Sequence, residues 1–310
     1  MVIEVNNLVK RYKEVLALDH FNLKVEQGEI LGLLGPNGCG KTTAINSMLS
    51  LLKFDKGEIS LFGQPMSPTA YQLKQEIGLV PQEVAVFEHL SVRENIDYFC
   101  SMYVEDPVKR KALVAKAIAF VGLEDFTKFF PRKLSGGLKR RLNIACGIAH
   151  EPKLIFLDEP TIAVDAQSRN FILEGIRRLN REGATILYTT HYLEEAEELC
   201  TRIVIMDHGR NVAEGTNDEL KNMIDIKEII LIEIVNLTDE ARVELEHLPN
   251  LAEIKSSGDA LELSFERGSN NLSDLIHFLD NHQLNYQNIY SKKPSLNEVF
   301  LALTGKELRD

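Results

Sequence analysis

The chain has 310 residues, which is enough for two hydrophobic cores at roughly 100–200 residues per domain. Its composition is that of an ordinary globular protein, and the lack of a long apolar run or a signal-peptide pattern predicts a cytoplasmic protein. The net charge is −11, with 26 basic and 30 acidic residues in 1–220 and 9 and 16 in 221–310, which argues against a basic nucleic-acid binder.

Strands and helices are predicted to alternate from the N-terminus onward. The first 30 residues alternate apolar and polar positions, which predicts antiparallel strands at one edge of a sheet. Ile30–Leu34 is wholly apolar and predicts a buried strand, followed by a helix over Thr42–Leu52 and a strand over Ile77–Pro81. The capping-box spacing of Ser91–Glu94 predicts the start of an exposed helical stretch that runs to about Phe130.

The middle of the chain continues the alternation. A helix from Gly136 leads into a buried strand, Leu154–Leu157, and a short helix capped at Thr216–Glu219 closes this part. Strands alternating with helices favour a mainly parallel α/β core. The elements predicted between these are a helix Arg169–Arg181, a strand Thr185–Thr190, a Glu-rich helix Leu193–Leu199 and a strand Ile203–Met206.

The last ninety residues have the order β-α-β-β-α-β plus a helix, which predicts a small ferredoxin-like domain. A final helix, Leu296–Leu303, is capped by Ser295 with Glu298. The other predicted elements are a strand Lys227–Val235, a helix Asp239–Leu248, strands Leu251–Lys255 and Ala260–Phe265 around the turn Gly258-Asp259, a helix Leu272–Asn281 and a strand Tyr286–Tyr290.

A glycine-rich loop between the first buried strand and the next helix matches G-x-x-x-x-G-K-[ST] at each fixed position. Glycines let backbone N–H groups wrap a phosphate closely, and the helix N-terminus adds partial positive charge. Lys41 is expected to reach the β- and γ-phosphates of a nucleotide and Thr42 to hold Mg²⁺. The predicted binding residues are Gly35, Pro36, Asn37, Gly38, Cys39, Gly40, Lys41, Thr42 and Thr43.

Four cysteines lie far apart and show no CxxC spacing, so neither a zinc site nor a disulfide framework is expected. Burial is the simplest interpretation of Cys100, Cys146 and Cys200. Cys39 lies in the phosphate loop at a helix N-terminus, where a thiol pKa tends to fall. We therefore predict that alkylation of Cys39 blocks ATP hydrolysis and that bound ATP protects it. A tolerated small residue is the alternative interpretation.

Two acidic residues follow the buried strand Leu154–Leu157. Asp158 at the end of such a strand suits a carboxylate that orients Mg²⁺. Glu159 would then lie beside the γ-phosphate, where it could polarise the attacking water. The alternative is a solvated acidic pair, which the phosphate loop upstream disfavours.

These motifs, in this order, resemble the ATP-binding cassette (ABC) family, the nucleotide-binding subunits of ABC transporters. The resemblance covers about residues 2–220 and rests on the phosphate loop, Gln82 after Val80-Pro81, the Leu134–Leu138 block, Asp158-Glu159, and His191. It implies a P-loop NTPase cassette at 1–220, with a mainly parallel core sheet, an antiparallel β edge and a helical subdomain at about 88–150. The remaining 221–310 would form the α+β ferredoxin-like accessory domain.

The resemblance also implies residue roles. Tyr12 would stack on adenine, and Gln82 would contact the metal and the lytic water. His191 would hydrogen-bond the γ-phosphate, and Asp165 would lie in the loop that crosses to the opposite subunit. The γ-phosphate held by a second cassette would be bound by Ser135, Gly136 and Gly137. The resemblance also implies Mg²⁺-ATP as substrate, with two ATP molecules held between two cassettes. Because this chain holds one cassette, a second copy or a related chain would be required.

The chain departs from the family pattern at two places. Leu138 replaces the usual Gln of the signature, and Ala163-Val164 replaces the usual Gly-Leu before Asp165. Leu138 continues an apolar helix face, which favours a core residue and leaves the strength of dimer coupling open. That face also contains Leu142, Ala145 and Ala149.

The segment Pro294–Gly305 resembles the closing motif of cassettes from bacterial drug, antibiotic or ion exporters. The leading hypothesis is therefore the ATPase subunit of an exporter, peripheral on the cytoplasmic face of the membrane and paired with a separately encoded membrane subunit. The helix near Ser91 would line the groove for that partner. The alternatives are a soluble ABC ATPase acting on ribosomes, DNA or protein assembly, and a regulatory cassette with low turnover.

Overall fold

The computed structural model describes residues 1–257, 260–266 and 270–305, apart from the side chains of Asp239 and Ser257. The chain divides into two compact units, Met1–Thr216 and a second that begins at Asn217. The turn predicted at Gly258-Asp259 lies outside the described residues. Within the described ranges, no helix combines the length and the apolar character needed to cross a membrane.

The first unit contains two sheets, whose strands are β1 (Ile3–Tyr12), β2 (Val15–Val25), β3 (Ile30–Leu34), β4 (Lys56–Leu61), β5 (Gln64–Pro65), β6 (Ile77–Val80), β7 (Leu154–Asp158), β8 (Thr185–Thr190), β9 (Arg202–Asp207) and β10 (Arg210–Gly215). One sheet has the order β10-β9-β3-β8-β7-β6 and is parallel except for the β9–β10 pair. The other has the order β2-β1-β4-β5 and is antiparallel, which confirms the predicted edge strands.

The helices of the first unit are α1 (Lys41–Met48), α2 (Tyr71–Lys74), α3 (Val92–Ser101), α4 (Pro107–Phe120), α5 (Gly136–Ile148), α6 (Ala166–Arg181) and α7 (Leu193–Leu199). The predicted capping box at the start of α3 is present: the Ser91 side chain accepts from the Glu94 backbone N–H, and the Glu94 side chain accepts from the Ser91 backbone N–H. Ser135 and Asp165 are simple N-caps of α5 and α6, whose side chains accept from the backbone N–H groups of Leu138 and Ser168.

The predicted helical regions are helical, and some of their boundaries differ from the predicted ones. The helix after the phosphate loop ends at Met48 rather than at Leu52. Ser50, two residues after Met48, takes a left-handed backbone conformation (φ 51°). The predicted helical stretch from Ser91 consists of α3, α4 and one 3₁₀ turn, Glu124–Phe126, and a second 3₁₀ turn, Pro131–Lys133, follows it. Asp106 caps a new helix with Pro107 at its first position, a pairing that favours helix initiation over continuation.

The parallel sheet separates two apolar cores. Strands β3, β7 and β8 are buried along their whole length, as expected for parallel strands covered on both faces. Because side chains alternate along β7, Leu154 and Phe156 pack with α1 and the antiparallel sheet, while Ile155 and Leu157 pack with α3–α6. This packing fixes the carboxyl ends of the parallel strands at one edge.

The second unit has the predicted β-α-β-β-α-β order, with elements α8 (Asn217–Lys221), β11 (Glu228–Ile234), α9 (Asp239–Leu245), β12 (Leu251–Ser257), β13 (Ala260–Phe265), α10 (Asn271–Asn281), β14 (Tyr286–Lys292) and α11 (Leu296–Thr304). Its antiparallel sheet has the order β12-β13-β11-β14, and β11 packs through Ile230 and Ile232 against α9 and α10. Helix α8, predicted to close the first part of the chain, packs against α11 and falls in this second unit.

Candidate functional site

The candidate site forms where β3, β6, β7 and β8 end at the same edge of the parallel sheet. Leu34 is paired with Thr190, Asp158 with Thr189, and Val80 with Leu157. The phosphate loop, the acidic pair and the segments carrying Gln82 and His191 therefore leave the sheet side by side. The register of the sheet, rather than any one motif, brings these residues together.

The phosphate loop is tightly packed at two of its glycines. A Cβ added to Gly35 would lie 2.2 Å from the Met206 carbonyl oxygen, and one added to Gly40 would lie 2.5 Å from the Ala17 carbonyl oxygen. Gly40 also has φ 115°, a conformation that other residues rarely adopt, and it precedes the first turn of α1. Asn37 and Gly38 are exposed, so the loop presents its tip to solvent.

Lys41 is buried and folds back over the loop. Its ammonium donates to the carbonyl oxygens of Gly35 (2.7 Å) and Pro36 (3.2 Å) and lies 3.1 Å from Glu159 Oε1. These three contacts match the three donors of a lysine ammonium. The charge of Lys41 is thus placed between the loop and the predicted catalytic carboxylate.

Asp158 joins the phosphate loop to the neighbouring strand. Its Oδ2 accepts from Thr42 Oγ1 at 2.8 Å, and its Oδ1 accepts from Thr189 Oγ1 at 2.6 Å. Burial raises the pKa of Asp158, and the two hydroxyl hydrogen bonds oppose that rise. A hydroxyl and a carboxylate in contact beside a phosphate loop are hard oxygen donors, so these residues fit Mg²⁺.

Glu159 and His191 are also in contact. His191 Nδ1 lies 2.9 Å from Glu159 Oε2, and both side chains are buried. Glu159 has φ 46°, and its backbone N–H donates to Thr189 Oγ1 at 3.0 Å, which holds it in this uncommon conformation. Lys41, Glu159 and His191 thus form one polar cluster beside Asp158.

Gln82 is positioned through its backbone. It follows β6, is partly buried, and its carbonyl oxygen accepts from the Arg140 guanidinium at 2.6 Å. Asn143, one turn along α5, donates to the Pro81 carbonyl and accepts from the Ala85 backbone N–H. Helix α5 therefore holds the Gln82 segment, although Gln82 is not a member of the hydrogen-bonded cluster within the described chain.

The signature block, Leu134–Leu138, lies against the start of α6. Ser135 is exposed and caps α5 by accepting from the Leu138 backbone N–H at 3.3 Å. A Cβ on Gly137 would lie 2.2 Å from Ser168 Oγ and 3.2 Å from Asp165 Oδ2, whereas Gly136 has 3.8 Å to its nearest neighbour. Gly137 is therefore required for close packing, and the exposed Gly136 is not.

Asp165 is exposed and caps α6 through the Ser168 backbone N–H (2.9 Å) and hydroxyl (2.8 Å), hydrogen bonds that lower its pKa. Ala163 takes the left-handed φ of 57°, a conformation that suits the glycine usual at this position. Leu138 is partly buried and packs on the core under α5, as its apolar register predicted.

The structure bears less directly on the predictions for Tyr12 and Cys39. Tyr12 ends β1, is 44% exposed and has the Lys10 ammonium 4.9 Å from its ring centre, so adenine stacking stays a prediction. The lowered thiol pKa expected for Cys39 is not found, because its thiol is buried beneath the loop and burial raises its pKa; inactivation by alkylation stays a prediction. Cys100 and Cys146 are buried as predicted, and Cys200 is only partly buried.

Two family models match the chain. One, ABC transporter, matches residues 18–162, and the other, the C-terminal domain of ATP-binding proteins like DrrA1-3, matches residues 215–304. The linearmycin resistance ATP-binding protein LnrL of Bacillus subtilis (strain 168) is 33% identical and is aligned over 100% of both chains. The chain belongs to the ABC transporter ATP-binding proteins. It is an ATPase.

Other relatives of this ABC ATPase have related names. The daunorubicin resistance ATP-binding protein DrrA3 of Streptomyces coeruleorubidus is 35% identical over 99% of this chain and 97% of its own length. The Nod factor export ATP-binding protein I of Burkholderia orbicola (strain AU 1054) is 35% identical over 99% and 98%. These relatives confirm an exporter-type ATP-binding subunit and do not favour the ribosome-associated or regulatory alternatives.

Solved structures show the same cassette. One titled as the ATP-binding subunit of an ABC transporter has a TM-score of 0.65 and 28% identity, and covers 72% of this chain and 93% of that chain. A dimeric post-hydrolysis state of the cassette MJ0796 bound to ADP and Pi has a TM-score of 0.64 and 27% identity, with 69% and 98% covered. The predicted fold class is confirmed.

Sequence reasoning missed several polar residues that organise this ABC ATPase. Thr189 holds both Asp158 and the Glu159 backbone, and its signal is a hydroxyl in the wholly buried strand β8. Arg140 has no such signal, because a cation in a Lys-Arg-Arg run looks solvated. Glu195 has no such signal either, because the other glutamates of α7 are exposed or partly exposed.

Proposed function

We propose that Lys41, Thr42, Asp158, Glu159 and His191 form the hydrolytic centre of an ATPase that drives export through a separately encoded membrane subunit. The observation that carries this proposal is the cluster in which Glu159 contacts Lys41 (3.1 Å) and His191 (2.9 Å) beside the Thr42–Asp158 hydrogen bond. Buried charges in contact at the edge of a phosphate loop are an arrangement suited to phosphoryl transfer.

The Thr42 hydroxyl and the Asp158 carboxylate would hold Mg²⁺. When bound, the ion would offset the negative charge of the phosphate oxygens. Burial of Asp158 keeps water away from this carboxylate, and Thr189 fixes its orientation from the other side. Gln82, at the neighbouring strand end, is proposed as a further oxygen donor to the same ion and to the lytic water.

The contacts of Lys41 suggest how substrate binding prepares the centre. A γ-phosphate carries more negative charge than a carboxylate and competes with Glu159 for the ammonium. Once Lys41 turns to the phosphate, Glu159 is free to accept a proton from the attacking water. The new oxygen–phosphorus bond forms as the β–γ bridge breaks, which yields ADP and phosphate, while His191 holds the γ-phosphate.

A second cassette is proposed to complete each site. Ser135, Gly136 and Asp165 are exposed on adjoining segments of one surface, where they can meet a γ-phosphate held by another subunit. The dimeric cassette among the similar structures supports this arrangement. The partner is a second copy of this chain or a related cassette, with Tyr12 stacking on adenine within each subunit.

The proposed cargo follows from the names of the relatives. Their names mention resistance to linearmycin and daunorubicin and export of Nod factor, so we expect a drug-like or secreted cargo. We assign the unit Met1–Thr216 to the ATPase domain, with a helical subdomain at about 88–150, and the unit that begins at Asn217 to an accessory domain. The chain would lie peripherally on the cytoplasmic face of the membrane.

The test compares Glu159→Gln with wild type, using the exposed Glu194→Gln as the matched control. Glu159→Gln is expected to bind Mg²⁺-ATP and to elute as a dimer, with kcat lower by about 10²–10⁴-fold, the range for a lost general base. Lys41→Ala is expected to lose ATP binding instead. Wild-type turnover in Glu159→Gln would remove that carboxylate from its proposed role.

A further inference from the structure

Glu195, a buried carboxylate outside the hydrolytic cluster, joins the chain segments that carry Glu159 and His191. Glu195 in α7 is 2% exposed. Its Oε2 accepts hydrogen bonds from the hydroxyls of Thr161 (2.9 Å), Tyr188 (2.6 Å) and Thr190 (3.0 Å). Its Oε1 faces Arg169 Nε at 3.3 Å. An unpaired carboxylate at this depth would be strongly unfavourable, so this set of partners is what allows its burial.

The partners of Glu195 lie next to the functional residues along the chain. Thr161 is two residues after Glu159, and Thr190 immediately precedes His191. Arg169 lies in the first turn of α6, four residues after Asp165 and therefore on the same face of the helix. Glu195 thus contacts both hydrolytic segments and the helix that begins at the exposed Asp165.

Arg169 makes a second connection to His191 through a neighbouring ring. Its guanidinium lies 5.0 Å from the centre of the Tyr192 ring, within the range of a cation–π contact. The Tyr192 ring lies 4.1 Å from the His191 ring, and its backbone N–H donates to Thr190 Oγ1 at 2.9 Å. Arg169 is therefore connected to the His191 segment both through Glu195 and through the Tyr192 ring.

The ion pair itself is incomplete. Arg169 Nε and Glu195 Oε1 are both buried, and within the described part of the chain neither atom makes a hydrogen bond. They are 3.3 Å apart without the alignment that a hydrogen bond requires. A small rotation of α6 relative to α7 would align them, because the hydroxyl contacts already hold Glu195 from the other side. The aligned arrangement would be the second of the two states that a relay needs.

We propose that Glu195 is a positioning residue that relays contact of a second cassette at Asp165, through Arg169, to the segments carrying Glu159 and His191. The inference rests on the proposed function, since it presupposes that Asp165 meets a second subunit. Docking there shifts the start of α6, the Arg169–Glu195 contact aligns, and the Thr161 and Thr190 hydroxyls set the two hydrolytic side chains. ATP binding by one subunit does not depend on this contact.

The experiment compares Arg169→Gln with the conservative Arg169→Lys and with Arg178→Gln as the matched control. Arg178 lies on the same helix and makes an exposed ion pair with Glu182, remote from Glu195. Steady-state kcat and KM are measured with Mg²⁺-ATP, and ATP-driven dimer formation is measured by gel filtration in the Glu159→Gln background. Thermal unfolding of each variant separates loss of fold from loss of coupling.

Arg169→Gln is expected to lower kcat about tenfold, within the 5–150-fold range typical of site coupling. Its KM and its ATP-driven dimer should match wild type, while Arg169→Lys should recover most of the turnover and Arg178→Gln should lose none. Equal kcat in Arg169→Gln and Arg178→Gln, or a fall explained by dimer loss, would overturn the relay alone. A wild type without Mg²⁺-dependent turnover would overturn the proposed function and the relay with it.

Discussion

Replacing Gly137 by alanine tests how closely the signature block packs on α6. The added Cβ would lie 2.2 Å from Ser168 Oγ and 2.9 Å from Ser168 Cβ. Rotation of the hydroxyl relieves only the first contact, so the start of α6 must move. Overpacking costs about 1–3 kcal/mol, loss of the Asp165 cap adds about 1 kcal/mol, and alanine regains up to about 1 kcal/mol of helix propensity. The net expectation is a destabilisation of roughly 2 kcal/mol.

Gly136→Ala is the matched control because its Cβ meets nothing closer than the Ala163 carbonyl oxygen at 3.8 Å. Its stability should equal that of wild type or exceed it slightly, since alanine favours the helix by up to about 1 kcal/mol. Its ATPase activity should fall nonetheless. The new methyl group stands on the exposed surface proposed to receive the γ-phosphate of a second cassette.

Thermal unfolding by circular dichroism and Mg²⁺-ATPase assays separate the two effects. A loss of about 2 kcal/mol corresponds to a Tm lower by roughly 4–8 °C for a unit of this size. The double variant Gly137→Ala/Ser168→Ala should recover part of that loss, because the closest contact disappears. Equal Tm values for Gly136→Ala and Gly137→Ala would refute the packing argument.

The remaining predictions concern three buried polar groups. Because burial raises the pKa of Asp158 above its ordinary 3.8, the folded protein binds this proton more tightly than the unfolded chain does. The ionised carboxylate therefore lowers stability above its raised pKa, so Asp158→Asn should raise Tm more at pH 8 than at pH 4, while Mg²⁺-dependent turnover is lost. The same difference in Tm between variant and wild type at both pH values would contradict this. Cys39 should resist maleimide in the native protein and react after unfolding, as followed by mass spectrometry, and rapid native labelling would restore the original prediction. Arg140→Met should lower kcat more than ATP affinity, because the Pro81 and Gln82 carbonyls lose their guanidinium donor. A hydrogen bond to a charged group contributes about 1.5–3 kcal/mol. An unchanged kcat would show that Gln82 does not need this hydrogen bond.

Most of the fold follows from local patterns. The runs Thr185–Thr190 and Leu193–Leu199 were predicted to the residue, because burial of a whole strand and a compact acidic helix leave clear signals. The predicted helix boundaries were wrong where a single residue ends or starts a helix, as at Ser50 and at Asp106-Pro107. Backbone conformation at such positions depends on one cap or one left-handed residue, which periodicity does not reveal.

The sequence by itself determined the family, the order of elements and the location of the phosphate loop and acidic pair, since these depend on spacing within short segments. Only the tertiary structure decided which polar groups meet. The Asp158–Thr189 and Gln82–Arg140 hydrogen bonds join residues 31 and 58 positions apart, and Glu195 differs from its exposed neighbours only in what surrounds it. Cys39 shows the same limit, because a thiol pKa follows desolvation, and desolvation is set by packing from distant strands.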